Sequence, residues 1–131
     1  MTQNADSTWQ ADDIARAYWT VMGARDWPAL TALLADDVLY ELPQSRERVR
    51  GAEALVRFSA EYPGDWEISL ERVVGHGWAA ATWIDFRLDG AAQPGLTFFE
   101  LDDDGRIVRV TDFWPDPYEP PPGREHLVER Y

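Results

Sequence analysis

The chain of 131 residues contains no cysteine, which excludes disulfide bonds and thiolate metal sites. It is also poor in positive charge, because 12 Lys+Arg stand against 24 Asp+Glu and give a net charge of −12. Such an acidic surface repels phosphate backbones and anionic lipids, so we expect neither a nucleic-acid nor a membrane partner. No apolar run approaches the roughly 18 residues of a spanning helix.

Several catalytic motifs are missing as well. The sequence has no glycine-rich phosphate loop, no nucleophile elbow and no histidine pair at metal-binding spacing, so we expect no metal and no other cofactor. The spacing of 102–105, DDDG, is not that of an EF-hand and predicts a hairpin turn. His76 lies in a Gly-His-Gly turn and His126 in the tail, so both are expected at the surface. The N-terminus lacks a basic and a hydrophobic region, which favours a cytoplasmic protein without a signal peptide.

Aromatic residues, by contrast, are plentiful: seven Trp, five Tyr and five Phe in a chain that is 45% hydrophobic. This composition fits one domain with a core and an aromatic ligand pocket. Helical spacing predicts a first helix capped by Asp12 or Asp13, a second capped by Asp26 and a third beginning at Gly51. A short strand, Val38 to Leu42, follows the second helix, and 43–50 is predicted to be a polar, basic loop.

From Trp66 onward the hydrophobic period changes from 3.6 to 2, which predicts an antiparallel meander. The expected strands are 66–74, 78–88, 96–101 and 106–114. Helices followed by a meander indicate an α+β fold. We expect 1–11 to be a flexible tail, 12–118 the domain and 119–131 a proline-rich tail.

Alternate residues of a strand share a face, and Asp112 shares its face with Val108, Val110 and Trp114. A curved sheet over three helices would therefore enclose a carboxylate within an apolar cone. The residues expected at this site are Tyr18, Tyr40, Leu42, Phe58, Tyr62, Thr82, Ile84, Phe86, Thr97, Phe99, Val110, Asp112 and Trp114.

Asp112 is the candidate catalytic residue. Aromatic surroundings remove water from a carboxylate and raise its pKa, and such a group can donate or accept a proton near neutrality. The phenols of Tyr18 and Tyr40 could orient the acid or donate to a developing enolate oxygen. A purely structural role is the alternative, since buried aspartates often accept hydrogen bonds from backbone or tyrosine groups.

Three segments carry a resemblance to a known family: ARDWPALTALLADDVLYELP (24–43), RVRGAEALVRF (48–58) and DDDGRIVRVTDFWPDPYEP (102–120). Together they resemble the nuclear transport factor 2-like fold and, within it, the SnoaL-like polyketide cyclase group. The resemblance implies a cone-shaped α+β barrel with three N-terminal helices packed on a curved, mainly antiparallel sheet. It also implies that Asp112 is the acid/base of an intramolecular aldol closure, although the pocket histidine of those cyclases has no counterpart.

Two related activities match the sequence less well. Ketosteroid isomerases use a first-helix tyrosine, which Tyr18 matches, but Leu42 and Thr97 stand where their two acids are expected. Limonene-epoxide-hydrolase-like enzymes align with Tyr40, Asp85 and Asp112. Their arginine, however, is replaced by Trp83 and a supporting asparagine by Leu42. The strand pattern also directs Asp85 outward, where an ion pair with Arg87 is the simpler interpretation.

The sequence therefore predicts a cofactor-free cyclase, isomerase or hydratase that acts on a small, largely apolar carbonyl compound. A non-catalytic ligand-binding or protein-interaction module of the same fold is the alternative, and an epoxide-hydrolase-like enzyme is the second. The outer sheet face carries Ala79, Ala81, Trp83 and Phe98. Because exposed apolar sheet faces usually mark interfaces, and members of this fold often pair through that sheet, a homodimer is expected.

Overall fold

A computed structural model of the protein describes residues 9–131 and has the predicted α+β architecture. The helices are α1 (Ala11–Gly23), α2 (Trp27–Leu33) and α3 (Ala52–Ala60). The strands are β1 (Leu34–Leu42), β2 (Glu47–Arg50), β3 (Trp66–His76), β4 (Ala79–Leu88), β5 (Ala91–Leu101) and β6 (Ile107–Phe113), and a 3₁₀ turn spans Glu125–Leu127. Of the predicted flexible tail, 1–8 lie outside the described residues, while Ala11 already belongs to α1.

The helix starts agree with the prediction in two cases of three. Asp26 caps α2, where its carboxylate accepts a hydrogen bond from the backbone N–H of Ala29 at 3.2 Å. Gly51 precedes α3 with a φ of 95°, which glycine adopts without strain. The predicted cap of α1 is wrong, because Gln10 is the N-cap and both candidate aspartates lie in the first turn. The helix begins earlier because Ala11 and Ala15 are buried, and alanines hardly mark an apolar face in a sequence.

Over residues 9–131 the sheet has six strands in the order β2-β1-β6-β5-β4-β3 and does not close into a barrel. The pair β1–β6 is parallel and the other pairs are antiparallel. Helix α1 packs on β3 and β4, while α3 packs on β1 and β2. This arrangement gives the curved sheet an inner face under the helices and an outer face on the opposite side. No helix in 9–131 is long and apolar enough to cross a membrane.

Three strand predictions are corrected by the structure. The segment 43–50, predicted as a loop, contains β2, and β1 begins at Leu34 rather than Val38. Strand β5 begins at Ala91 rather than Leu96, after a tight turn in which Asp89 and Gly90 both have positive φ. Pro94 obscured this strand in the sequence. It is tolerated because β6 pairs with β5 only from Leu96 onward, which leaves Pro94 on an unpaired edge.

The predicted strand faces are confirmed along most of β4. Ala80, Thr82 and Ile84 are buried on the inner face, whereas the Trp83 side chain is exposed on the outer face. Alternation along 78–88 also assigns Trp78 to the inner face, and this prediction is wrong, because Trp78 lies in the turn between β3 and β4 and is 61% exposed.

Candidate active site

The Asp112 carboxylate lies on the inner face of β6 and is buried, with 3% of the residue exposed. Thr97 is its direct neighbour across the β5–β6 ladder, and the Thr97 Oγ1 donates a hydrogen bond to Oδ1 at 2.5 Å. From the other side, the Tyr40 hydroxyl donates to Oδ2. The parallel β1–β6 pair places Tyr40 opposite Val110, so the phenol reaches the acid diagonally across one strand spacing. Both carboxylate oxygens therefore have a neutral donor.

The environment shifts the proton affinity of Asp112 strongly. Burial raises its pKa from 3.8 to about 6, even though the hydrogen bonds from Thr97 and Tyr40 oppose that shift by favouring the charged form. Its two hydrogen-bond partners are uncharged hydroxyls, so neither of them neutralises the carboxylate. A group with this pKa exchanges protons readily near neutral pH.

Tyr18 projects from α1 toward the same acid. Its ring packs edge-on against Phe99 at a centroid distance of 5.0 Å, which fixes the phenol beneath the sheet. Burial and the negative charge of Asp112 both raise the pKa of Tyr18 well above its ordinary value, so the phenol stays protonated. Its hydroxyl makes no hydrogen bond to another residue of the described chain, and the side chain lines a cavity. Tyr18 is thus a neutral donor available to a ligand.

The cavity beside these groups has a volume of about 110 Å³. Its polar end is formed by Tyr18, Tyr40 and Asp112, all buried. The remaining predicted residues that line it are Leu42, Phe58, Tyr62, Phe86 and Trp114. Tyr62 is 39% exposed and marks the end of the cavity that faces solvent. The structure therefore brings the three candidate catalytic side chains together at the closed end of an aromatic pocket.

Five other predicted residues lie on the inner face but do not reach the cavity wall: Thr82, Ile84, Thr97, Phe99 and Val110. Helix α1 covers part of this set. The indole N–H of Trp19 donates to the Thr82 hydroxyl at 2.9 Å, and the Tyr18 ring packs on Phe99. Face alternation identified these side chains as buried, but it could not say which of them a helix covers.

The sequence interpretation missed five lining residues: Trp19, Met22, Ser59, Trp66 and Ile68. Trp66 and Ile68 alternate on β3 and pair with Leu88 and Phe86, so the strand register contained the signal. Trp19 lies next to the predicted helical stripe and is nevertheless 6% exposed, because α1 buries a wider face than a single stripe. No pattern in the sequence indicates Ser59.

The remaining candidates lie elsewhere. Asp85 is turned away from the cavity and pairs with Arg87 at 3.4 Å, as the strand pattern predicts. Asp102 closes the predicted hairpin turn by accepting from the backbone N–H groups of Asp104 and Arg106. Both histidines are exposed. Within 9–131, no three His, Asp or Glu side chains cluster in a way that could hold a metal ion.

An open, curved sheet over three helices, with a pocket between the two layers, defines the nuclear transport factor 2-like class. Within it, the chain belongs to the SnoaL-like domain family, whose model matches residues 15–110. Comparison with curated proteins found no match.

Several solved structures are similar to this chain over most of its length. A Kribbella flavida protein, provisionally assigned as a ketosteroid isomerase, is 48% identical with a TM-score of 0.89 and covers 93% of this chain and 90% of its own. An epoxide hydrolase of M. tuberculosis is 23% identical, with a TM-score of 0.70 over 80% of this chain and 82% of its own. A Shewanella denitrificans protein, provisionally assigned as a SnoaL-like polyketide cyclase, is 16% identical with a TM-score of 0.71 over 80% and 90%. The last two similarities concern the fold alone.

Proposed function

We propose that this chain is a cofactor-free proton-transfer enzyme, of the cyclase, isomerase or hydratase type, for a small apolar carbonyl compound. The observation that carries the proposal is the buried Asp112 carboxyl, which lines an aromatic cavity with a pKa of about 6. Perturbed acids inside pockets are characteristic of catalytic sites. The similarity to a provisionally assigned ketosteroid isomerase supports proton transfer next to a carbonyl as the reaction type.

The proposed step begins with the ligand carbonyl oxygen at the Tyr18 hydroxyl. The Asp112 carboxylate removes a proton from the neighbouring carbon, and the C–H electron pair moves into an enolate whose oxygen accepts the Tyr18 hydrogen bond. Each carboxylate oxygen has a second lone pair, so Asp112 can take this proton while Thr97 and Tyr40 stay bonded. The Asp112 carboxyl then returns its proton to the enolate carbon or, when that carbon attacks a second carbonyl within the substrate, to the alkoxide oxygen that the attack leaves.

Hydrogen–deuterium exchange tests this step without knowledge of the natural substrate. Cyclohex-2-enone in D₂O reports proton removal next to its carbonyl through the loss of an NMR signal. We expect the protein to accelerate exchange, and Asp112→Asn to reduce the protein-catalysed rate at least about 100-fold, since general-base catalysis contributes about 10²–10⁴-fold. The rate should rise with pH through about 6 as Asp112 ionises.

Glu41→Gln is the matched control for that experiment. Glu41 lies on the strand next to β6 but on the outer face, where Arg48 and Arg109 bind it. Its amide variant should exchange at the wild-type rate. Equal rates for wild type and Asp112→Asn would refute the catalytic proposal.

Binding without turnover is the second candidate function. It is favoured by the two hydrogen bonds that already occupy Asp112, since Thr97, Tyr40 and the acid also satisfy one another as a structural group. In that case cyclohex-2-enone binds to wild type and to Asp112→Asn alike, and neither protein accelerates exchange.

We also propose that the chain forms a homodimer through the outer sheet face. Trp83, Phe98 and Val74 are exposed there, next to the half-buried Leu96 and Phe113. Exposed apolar patches of this kind mark interaction surfaces. Sedimentation analysis should give a dimer for wild type and a monomer for Phe98→Glu, whereas Trp78→Glu, in the β3–β4 turn, should leave the dimer intact. A monomeric wild type at high concentration would exclude this interface.

A further inference from the structure

The cavity at Asp112 is small, and it meets solvent at the Tyr62 end. An engineered apolar cavity of about 150 Å³ in another protein holds benzene, and the cavity at Asp112 measures about 110 Å³. A fused polycycle such as a steroid needs several times that volume. A larger ligand would therefore bind only if the side chains that line the cavity moved apart.

The residues that pack against the lining side chains oppose such a movement. Trp114 rests on the backbone at Gly95 so closely that a Cβ added there would lie 2.6 Å from the indole. The Trp114 ring also packs edge-on against Phe86, with 5.1 Å between the ring centroids. The Trp66 ring is backed by the Arg25 guanidinium, 3.8 Å from the ring centroid, and the same guanidinium donates a hydrogen bond to the Trp66 carbonyl. Close-packed aromatic walls of this kind yield only at an energetic cost.

The polar groups restrict the chemistry as well as the size. Among residues 9–131, Asp112 is the only acid that lines the cavity and no arginine lines it, so a bound anion would meet uncompensated negative charge. The phenol of Tyr18 offers a hydrogen bond at the closed end, whereas most of the remaining lining is apolar. A ligand with one oxygen acceptor and an otherwise apolar body satisfies this distribution.

We propose that the pocket selects uncharged, single-ring ketones and excludes fused polycyclic ketones, steroids included. The choice of a ketone rests on the function proposed above, whereas the size limit rests only on the cavity and its backed walls. Selectivity of this kind separates the chain from steroid-sized substrates, although a similar protein carries a provisional ketosteroid isomerase assignment.

A ligand series with one constant head group tests the size limit. Cyclohex-2-enone, a two-ring octalenone and a steroid 4-en-3-one share the enone and differ in bulk. By ligand-observed NMR and calorimetry we expect the single ring to bind, the two-ring compound to bind at least about tenfold more weakly, and the steroid not to bind. Cyclohexanecarboxylate, of similar size but charged, should not bind above pH 6.

Variants at the solvent-facing end of the cavity provide a second test of the size limit. Tyr62→Ala removes an exposed ring that contacts Phe58 and Phe86, so it should enlarge the entrance and improve octalenone binding about tenfold without unfolding the chain. Phe58→Leu is a milder enlargement of the same wall. Tyr118→Ala removes an exposed tail tyrosine outside the cavity and should match wild type.

The outcomes separate this inference from the proposed function. Steroid binding as tight as that of cyclohex-2-enone, or no binding of cyclohex-2-enone at all, overturns the size limit. Exchange catalysed on the steroid but not on the single ring overturns it too, while leaving the proton-transfer function in place. Selective binding of the single ring without exchange supports the size limit and refutes the enzyme.

Discussion

Two carboxylates on neighbouring strands, Asp112 of β6 and Glu41 of β1, meet opposite environments on the two faces of one sheet. Glu41 is on the outer face, where Arg48 donates to it at 2.9 Å and Arg109 at 2.5 Å. These hydrogen bonds, that of Arg48 first, lower its pKa. Asp112, on the inner face, accepts hydrogen bonds only from hydroxyls in the part of the chain that the structure describes, and burial raises its pKa to about 6. The sheet thus holds one acid ionised at neutral pH and keeps the other ready to titrate.

The comparison shows that strand position alone does not determine the chemistry of an acid. Charged partners and water stabilise the ionised form on the outer face, whereas the inner face supplies dipoles without countercharge. Two neutral hydrogen bonds lower the pKa of Asp112 but do not offset its desolvation. The inner acid therefore destabilises the fold whenever it is ionised, and this property can be measured.

The largest expected effect is a pH-dependent difference in stability between wild type and Asp112→Asn. Below pH 3.8 the acid is protonated in both the folded and the unfolded chain, but between pH 3.8 and about 6 the folded chain binds more protons. The unfolding free energy of wild type relative to the variant should therefore fall as pH rises. The fall amounts to about 3 kcal/mol by pH 7, because each pKa unit between 3.8 and about 6 corresponds to about 1.36 kcal/mol.

Urea denaturation at several pH values measures this difference, and Glu41→Gln serves as its counterpart from the outer face. Because the pKa of Glu41 is lowered, its contribution to stability is lost as pH falls. This pH dependence is opposite in direction to that of Asp112. If the unfolding free energy of wild type relative to Asp112→Asn stayed constant or rose with pH, it would contradict the burial of an ionisable acid.

The next effect concerns the donor that faces Asp112 across the ladder. Thr97→Val keeps the shape of the side chain but removes the hydrogen bond to Oδ1, so we expect a loss of about 2 kcal/mol above pH 6, as for bonds to charged groups. The pKa of Asp112 should rise further. Thr111→Val is the control, because Thr111 lies on the outer face of β6, and it should change stability little. Equal losses for both variants would show that the bond to Asp112 contributes nothing specific.

A smaller effect is expected at a neutral buried pair on the same inner face. Thr82→Val removes the acceptor of the Trp19 indole N–H, and we expect a loss of about 1 kcal/mol that does not change with pH. Urea denaturation at several pH values measures this loss, as for Asp112→Asn. A loss that grows with pH would mean that Thr82 acts through Asp112 rather than through Trp19.

The sequence predicted the inner acid because strands have a short, regular period. Asp112 and Val110 alternate with Arg109 and Thr111, so one count of residues assigned the carboxylate to the apolar face, and the fold followed from helices preceding a meander. The sequence did not predict the early start of β5, because a proline such as Pro94 usually indicates a loop. It fits in this strand only because β6 does not pair with β5 before Leu96. Such edge effects depend on three-dimensional pairing.

The pocket itself was predictable only in part. Alternation separates inward from outward side chains, but whether an inward residue lines a cavity depends on what packs over it. Thr97 and Phe99 are inward and yet covered, whereas Trp66 and Ile68 complete the wall from the far edge of the sheet. Helix placement over a sheet is a long-range property, and no local pattern contains it.

The smallest expected effect lies on the outer face, at Glu41. Glu41→Gln removes ion pairs with Arg48 and Arg109, whose side chains are 51% and 45% exposed, and water and salt weaken such pairs. We therefore expect a stability loss below that of Thr82→Val, which shrinks further as salt is raised in the denaturation experiment. The Asp112→Asn difference should persist in salt, because burial rather than a surface charge produces it. If salt abolished both differences equally, the two acids would share one environment, and the distinction between the faces would fail.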